Sequence, residues 1–278
     1  MSKGIAVTLG LNAVDPKHYG GWSGVLNACE ADAHDMTDIA KTAGFSVKTL
    51  LTKSATRSSV IKEVTSAAKS LKSGDIFMLT YSGHGGQLPD LNDDESDSQD
   101  ETWCLYDGEL VDDEIYSLLA KFVAGVRILV FSDSCHSGTV LKEAFYPPAT
   151  RARSADGTSE EVRYRNMPTD AALRTYRDNK SFYDPILKDP KLKESRDAVK
   201  ASAILISGCQ DNQLSQDGAF NGLFTGTMLR VWNGGKFNGD YRSFRKAIVE
   251  RMPPSQTPNY FRVGQLNSTF EKQKPFKV

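Results

Sequence analysis

The chain has 278 residues, 39% hydrophobic and 25% charged, an ordinary globular composition that excludes disordered and fibrous classes. A net charge of -1, with no dense run of Lys or Arg, gives no basis for nucleic-acid binding. No apolar stretch reaches the length of a membrane span, and "MSKGIAVTLG" enters a strand without the apolar core or cleavage site of a signal peptide. The four cysteines, at 29, 104, 135 and 209, form no CxxC pair. That argues against a disulfide framework or zinc site and for free thiols in a reducing, cytoplasmic setting.

The amino-terminal half alternates strands and helices. "GIAVTLGL" predicts a buried strand. Ala31, Met36, Ile39, Ala40 and Ala43 predict a helix over 29–43, stopped by Gly44. "FSVKTLL" predicts a second strand, and Val60, Ile61, Val64, Ala67, Ala68 and Leu71 mark a helix over 57–71. "DIFMLTYS", a helix at 113–124 and a strand at 126–132 follow. Continuous apolar strands between amphipathic helices predict a mostly parallel sheet covered on both faces. Residues 146–200 differ, with five prolines, little apolar periodicity, and Arg at 151, 153, 163, 165, 174 and 177. They predict a long connection with one short helix near 170–178, a segment type that is usually functional or mobile. "ASAILISG" resumes the sheet, helices are expected at 220–233 and 240–251, and a Pro-rich tail closes the chain.

Two strands end in chemistry. "IFMLTYSGHGG" runs into His84 and "ILVFSDSCHSG" into Cys135, 51 residues later. In an open parallel sheet, ligands bind at the carboxyl ends of the strands, so the two side chains are expected at one edge. A thiol needs a base to become a thiolate, and imidazole is the usual one. Gly85 and Gly86 allow close backbone approach and offer N–H groups to a developing oxyanion. His136 is a rival base, disfavoured because adjacent side chains diverge.

The motifs "YSGHGGQ" and "DSCHSGTV" closely resemble those of the metacaspases, caspase-like cysteine peptidases. The similarity runs from Gly4 to about Val140 and from "ISGCQDNQLSQDG" through "QTPNYF". It implies a caspase-hemoglobinase-type α/β/α sandwich with a central mostly parallel sheet. One peptidase domain is expected over 1–278, with a p20-like part at 1–145, a linker or insertion at 146–200 and a p10-like part at 201–278. The resemblance also implies His84 as general base or orienting imidazole, Cys135 as nucleophile, and oxyanion N–H groups from Gly85 and Cys135. No prodomain is expected before the first strand, and a monomer is implied. The alternatives are a clostripain- or gingipain-like peptidase and a caspase-like scaffold without turnover.

Substrate preference follows from charge. A pocket for Arg or Lys needs carboxylates, and Asp133 precedes the nucleophile by two residues, while the catalytic strand ends bring no basic residue. The resemblance adds Cys29 and Asp32 of "NACEADA" and Ser82, giving an acidic S1 site of Cys29, Asp32, Ser82 and Asp133. Asp211 of "SGCQDNQ" is expected at the cleft rim. Cleavage of protein or peptide substrates after Arg or Lys follows, as does self-cleavage after one or more of Arg151, Arg153, Arg163, Arg165, Arg174 and Arg177.

"DLNDDESDSQDE", residues 90–101, holds seven carboxylates and no basic residue. Asp90, Asn92, Asp94 and Glu101 nearly imitate an EF-hand, but Glu95 stands where Gly is required and a strand precedes the loop, so that motif is rejected. By resemblance to the metacaspases, Asp100, Asp112 and Asp113 are expected to bind an activating calcium ion. Lys142 occupies the position of a fourth, acidic ligand, with Glu143 as a substitute. Three ligands and a neighbouring ammonium imply a weak site, about 10⁻⁴–10⁻³ M. No organic cofactor is expected.

Overall fold

The structure, a computed structural model, describes residues 2–91, 99–134, 150–153, 159–210 and 213–278. Strand β1 (Gly4–Gly10) leads to helix α1 (Cys29–Thr42), then β2 (Phe45–Leu51), α2 (Arg57–Ser70) and β3 (Ile76–Ser82). A small antiparallel sheet follows, formed by β4 (Gly85–Pro89), β5 (Gln99–Leu105) and β6 (Gly108–Val111), before α3 (Asp112–Leu119) and β7 (Arg127–Asp133). The central sheet has the order β2-β1-β3-β7 and continues with β10 (Ser202–Ser207) and β12 (Asn259–Gly264). All its pairings are parallel except β10 with β12.

The strands are apolar on both faces because both faces are covered. Val7, Leu9, Phe77, Leu79, Ile128 and Val130 pack with Val60 and Val64 of α2 and Leu118 of α3. The alternate residues Ala6, Ile76, Met78, Leu129 and Phe131 pack on the other side with Met36 of α1, Phe224 and Phe244. This is the period-2 alternation of a sheet sandwiched between helices. Helix α3 stops short of the expected 124. Lys121 and Phe122 bond back three residues to Leu118 and Leu119, tightening the end into a turn that tucks Phe122 into the core.

The middle connection holds more regular structure than its prolines suggest. Strands β8 (Thr150–Arg153) and β9 (Ser159–Tyr164) pair antiparallel, and β9 pairs with β11 (Gln216–Asp217). The expected short helix is α4 (Thr169–Asp178), and α5 (Lys180–Leu187) follows with Pro185 inside it. Tyr183 and Leu187 pack on Leu88 and Val111, so α5 is anchored to the small sheet by apolar burial that few periodic positions announce. Helices α6 (Leu223–Trp232) and α7 (Tyr241–Val249) match the two expected after β10. The tail supplies edge strand β12, which its prolines at 253, 254 and 258 conceal.

Under the small sheet lies a buried acid. Glu109 on β6 is fully enclosed and accepts a 2.5 Å hydrogen bond from the Thr102 hydroxyl. Burial pushes its carboxyl up to about 8, partly opposed by Thr102 and the Arg57 guanidinium. The folded protein therefore holds this proton where the unfolded chain has released it, and the stability it contributes is lost as pH rises from about 4.5 to 8. Glu109→Gln should flatten that dependence, which reaches about 1.4 kcal/mol per pH unit. Urea unfolding midpoints at pH 5 and pH 8 should converge in the variant and diverge in the wild type.

Candidate active site

Four segments meet at the carboxyl edge of the central sheet. The end of β3 and the turn after it carry Ser82 and His84, the end of β7 carries Asp133, the first turn of α1 carries Asp32, and β11 carries Asp217. Asn12, just past β1, fixes the start of α1: its side-chain oxygen accepts from the N–H groups of Cys29 (2.9 Å) and Glu30 (3.2 Å). The α1 amino terminus thus lies with its positive dipole end at this edge, favourable surroundings for Asp32.

The centre of the site is Arg165, a fully buried guanidinium. Its Nη2 donates to Asp32 Oδ2 (2.8 Å) and Asp217 Oδ1 (2.9 Å). Its Nη1 donates to the Ser82 hydroxyl (2.8 Å) and to the Asp133 backbone carbonyl (3.1 Å), and lies 3.0 Å from Asp133 Oδ2. Each carboxylate is held by other donors as well. Asp133 accepts from the Ser215 hydroxyl (2.6 Å) and from the Thr225 hydroxyl (2.7 Å) and N–H (3.0 Å). Asp32 accepts from the Asn221 amide (2.9 Å), the Gly222 N–H (3.1 Å) and the Ser82 hydroxyl (2.8 Å). Asp217 accepts from the Asn27 N–H (2.7 Å). Burial pushes the Asp32 carboxyl up to about 6, with Arg165 pulling in the opposite direction. Gly222 has to be glycine here, because a Cβ would lie 2.5 Å from both Arg165 Cζ and Asp133 Oδ2.

The backbone around Arg165 is as specifically held as its side chain. Its N–H donates to the Ser215 carbonyl (2.9 Å), extending the β9–β11 ladder, in which Tyr164 faces Gln216 and Arg163 faces Asp217. Its carbonyl accepts from the Gly85 N–H at 2.9 Å, and the chain leaves antiparallel to none of these strands but parallel beside Gly85, with Met167 donating to the Gly85 carbonyl (2.8 Å). The residue therefore lies extended across the sheet edge, side chain in the acidic pocket and carbonyl oxygen on a glycine N–H. A cavity of about 120 Å³, bordered by Gly86, Asn166, Met167 and Tyr176, opens on the side where the chain departs.

His84 stands beside this carbonyl. Its Nε2 is 3.0 Å from the Gly24 carbonyl, which can only accept, so Nε2 carries a proton. Burial pushes the imidazole down to about 4, with the Gly24 bond acting in the raising direction. A neutral ring protonated on Nε2 leaves Nδ1 with its lone pair, and Nδ1 is buried without a hydrogen-bond partner among the described residues. The ring packs edge-on to Trp22, centroids 4.7 Å apart. The Tyr81 hydroxyl anchors the loop by donating to the His84 carbonyl (2.6 Å) and the Cys104 carbonyl (3.1 Å). A Cβ on Gly83 would reach to 2.5 Å of that hydroxyl.

The structure thus brings together Asp32, Ser82, Asp133, His84 and Gly85. Cys29 is buried at their edge, and its thiol is pushed up by burial, while Arg165 and a hydrogen bond from Ser82 act the other way. Cys135, His136, Lys142, Glu143 and Asp211 lie outside the described residues. Sequence reasoning missed Asp217, Asn221, Gly222 and Trp22. It also expected no basic residue at this edge, and Arg165 of the middle connection supplies one. Of the other arginines, Arg163 reaches the Val25 carbonyl (3.2 Å), Arg174 and Arg177 lie within α4, and Arg151 and Arg153 are on β8. Asp100 lies on β5 and Asp112 and Asp113 open α3, and among the described residues no group of three or more His, Cys, Asp or Glu side chains is arranged to hold a metal ion.

Comparison with known proteins accounts for this architecture. The caspase domain pattern of peptidase family C14 matches residues 4–275. Metacaspase-1 of Saccharomyces cerevisiae (strain ATCC 204508 / S288c) is 27% identical over 257 residues, covering 82% of this chain and 57% of the relative. Metacaspase-1 of Schizosaccharomyces pombe is 32% identical over 170 residues, covering 55% of this chain and 40% of the relative, so the chain spans about half the length of the curated relatives it matches. The crystal structure of protein GSU0716 from Geobacter sulfurreducens superposes with a TM-score of 0.89 at 63% identity, over 99% of both chains. Caspase-1 from Spodoptera frugiperda, at 11% identity, shares the fold with a TM-score of 0.56, over 95% of this chain and 86% of its own. Fold, matched pattern and relatives agree, and the chain belongs to the caspase-domain peptidases as a metacaspase-like member.

Proposed function

We propose that this protein is a cysteine endopeptidase that cleaves after arginine, and less efficiently after lysine, through Cys135 and His84, and that it processes itself at the Arg165–Asn166 bond. The observation that supports this most is Arg165, whose side chain is paired with three carboxylates while its carbonyl oxygen sits 2.9 Å from the Gly85 N–H. A planar guanidinium uses both Nη groups on separate carboxylates, which a single ammonium cannot do. The resting strand also covers the cleft it lies in, so the uncut chain has no open S1 pocket for another substrate.

In this reading His84 Nδ1 takes the Cys135 thiol proton. The thiolate attacks the Arg165 carbonyl carbon, and the oxygen gains negative charge against the Gly85 and Cys135 N–H groups. The C–N bond to Asn166 then breaks. The departing amine receives the proton from His84, leaving a thioester between Cys135 and Arg165. Water, deprotonated by His84, hydrolyses the thioester to the Arg165 carboxylate and regenerates the thiol. Cys29, Asp32, Ser82 and Asp133 form S1, joined by Asp217. The other expected cut sites are less accessible to this geometry, since Arg174 and Arg177 are helical. The buried free thiols Cys29 and Cys104 accord with a reducing, cytoplasmic location, and no described helix is long and apolar enough to cross a membrane.

Cys135→Ala should abolish cleavage of peptides with Arg at P1 while leaving the unfolding free energy within about 1 kcal/mol of wild type, because only a small side chain is lost. Peptides with Asp at P1 should be refused, since a carboxylate facing three carboxylates costs about 2–5 kcal/mol. Asp217→Asn and Asp32→Asn should each lower kcat/KM for arginyl peptides. A positional library that prefers Asp at P1 would overturn the specificity.

Mass spectrometry of the purified wild type should find a new amino terminus at Asn166, absent from Cys135→Ala and from Arg165→Ala. Arg165→Ala should still cleave arginyl peptides supplied in trans. A single intact species after prolonged incubation would reduce the strand to a permanent inhibitor.

Calcium activation belongs to the same proposal but rests on the sequence alone, and no step above uses the ion. Activity should rise only at about 10⁻⁴–10⁻³ M calcium, and Lys142→Asp should shift the titration to lower concentrations. Full activity of both proteins in excess chelator would remove the ion from the account.

A further inference from the structure

The strand held in the cleft presents more than one side chain to the enzyme. If Arg165 occupies the position of a P1 residue, Tyr164 occupies P2, and this step rests on the proposed endopeptidase function. Tyr164 is half-buried against Cys209 and Leu214, which are themselves almost fully enclosed and form a small apolar cluster separate from the two main cores. The cluster lies beyond β10 and before β11, and Leu214 stands two residues ahead of Gln216, which faces Tyr164 in the β9–β11 ladder. Leu214 adjoins Ser215, whose carbonyl receives the Arg165 N–H and whose hydroxyl bonds Asp133. Cys209 donates its thiol to the Ser134 carbonyl (3.4 Å), one residue before Cys135.

We infer that Cys209 and Leu214 form an S2 subsite that selects an aromatic side chain at P2, giving a preference for aromatic–Arg sequences. Two features set the chemistry. The walls are a thiol and a branched alkyl group, so a charged P2 side chain would lose its water without gaining a partner. The resident side chain is a flat aromatic ring, partly buried against both walls. An extended strand also forces the geometry: successive side chains point to opposite faces, so a P1 residue buried in the acidic pocket puts its P2 neighbour on the other side, where Leu214 stands. The contact forms before the chemical step and persists through it. It should therefore act on KM more than on kcat.

The test uses self-processed wild-type protein and fluorogenic peptides with Arg fixed at P1. Tyr and Phe at P2 should exceed Gly and Asp by about tenfold or more in kcat/KM, with most of the difference in KM. Leu214→Glu should lower the rate on Tyr-Arg peptides by a similar factor and raise that on Lys-Arg peptides, leaving the P1 preference unchanged. Leu214→Ala, a milder change, should blunt the aromatic preference without reversing it. In cis, Tyr164→Phe should release the Asn166 terminus at the wild-type rate and Tyr164→Asp more slowly. Equal rates for all P2 residues on a protein that cleaves arginyl peptides would overturn the subsite and leave the proposed function standing. Failure to cleave any arginyl peptide would overturn both.

Discussion

One guanidinium facing three carboxylates constrains everything around it. Burying Asp32, Asp133 and Asp217 together without a cation would set like charges against one another in a region of low dielectric. Arg165 offsets one charge, and the remainder is spread over neutral donors: the amide of Asn221, the hydroxyls of Ser215 and Thr225, and the N–H groups of Asn27 and Gly222. All but Asn27 come from the single stretch 215–225, whereas the carboxylates they hold belong to α1, β7 and β11. The acidic pocket is therefore also a junction, at which the segments flanking the middle connection are fastened to each other through shared hydrogen bonds.

A pocket built this way is tuned to whatever cation occupies it. The carboxylates are oriented by partners that remain in place when the occupant leaves, so their geometry does not have to be rebuilt for an incoming side chain. Water can hydrate the vacated carboxylates but cannot supply a fork of donors at fixed spacing. The ring of His84 is treated similarly. Trp22 and the Gly24 carbonyl fix its orientation and tautomer, and Tyr81 fixes the loop that carries it. The acidic half of the site and the imidazole half meet along the backbone of Arg165 and Gly85 and through the short stretch from Ser82 to His84, whose Gly83 N–H bonds the Asp133 carbonyl.

Much of this was legible in the sequence. The strands β1, β3, β7 and β10 announce themselves as largely apolar runs, because strands inside a sheet covered on both faces bury both sets of side chains, whereas edge strand β2 exposes Ser46 and Lys48. His84 and Asp133 were legible because each follows such a run directly. Asp217 was not: it lies on a two-residue strand whose only distinguishing property is what it pairs with. Arg165 was visible only as one of six arginines between 151 and 177. Its separation from Asp32 by 133 residues carries no periodicity, and only the fold reveals their contact. Strand β12 and helix α5 were hidden for a related reason, since prolines before β12 and within α5 read as breaks while tertiary burial of Tyr183, Leu187 and Val263 overrides them.

The adjacency of β7 and β10 has a consequence for the proposed self-processing. These two strands lie on opposite sides of the Arg165–Asn166 bond in sequence, yet they are hydrogen-bonded parallel neighbours in the middle of the sheet, in register from Arg127 with Ser202 to Ser132 with Ser207. A break at that bond would leave every pairing of the central sheet intact and disturb only the bridge beside Gly85, so the two pieces would remain one folded body. Their history, however, becomes irreversible. The intact chain assembles its sheet as a unimolecular event, whereas two separated pieces have to find each other, and their recovery depends on concentration. Once cut, the molecule retains a fold that neither fragment encodes alone, and denaturation erases it.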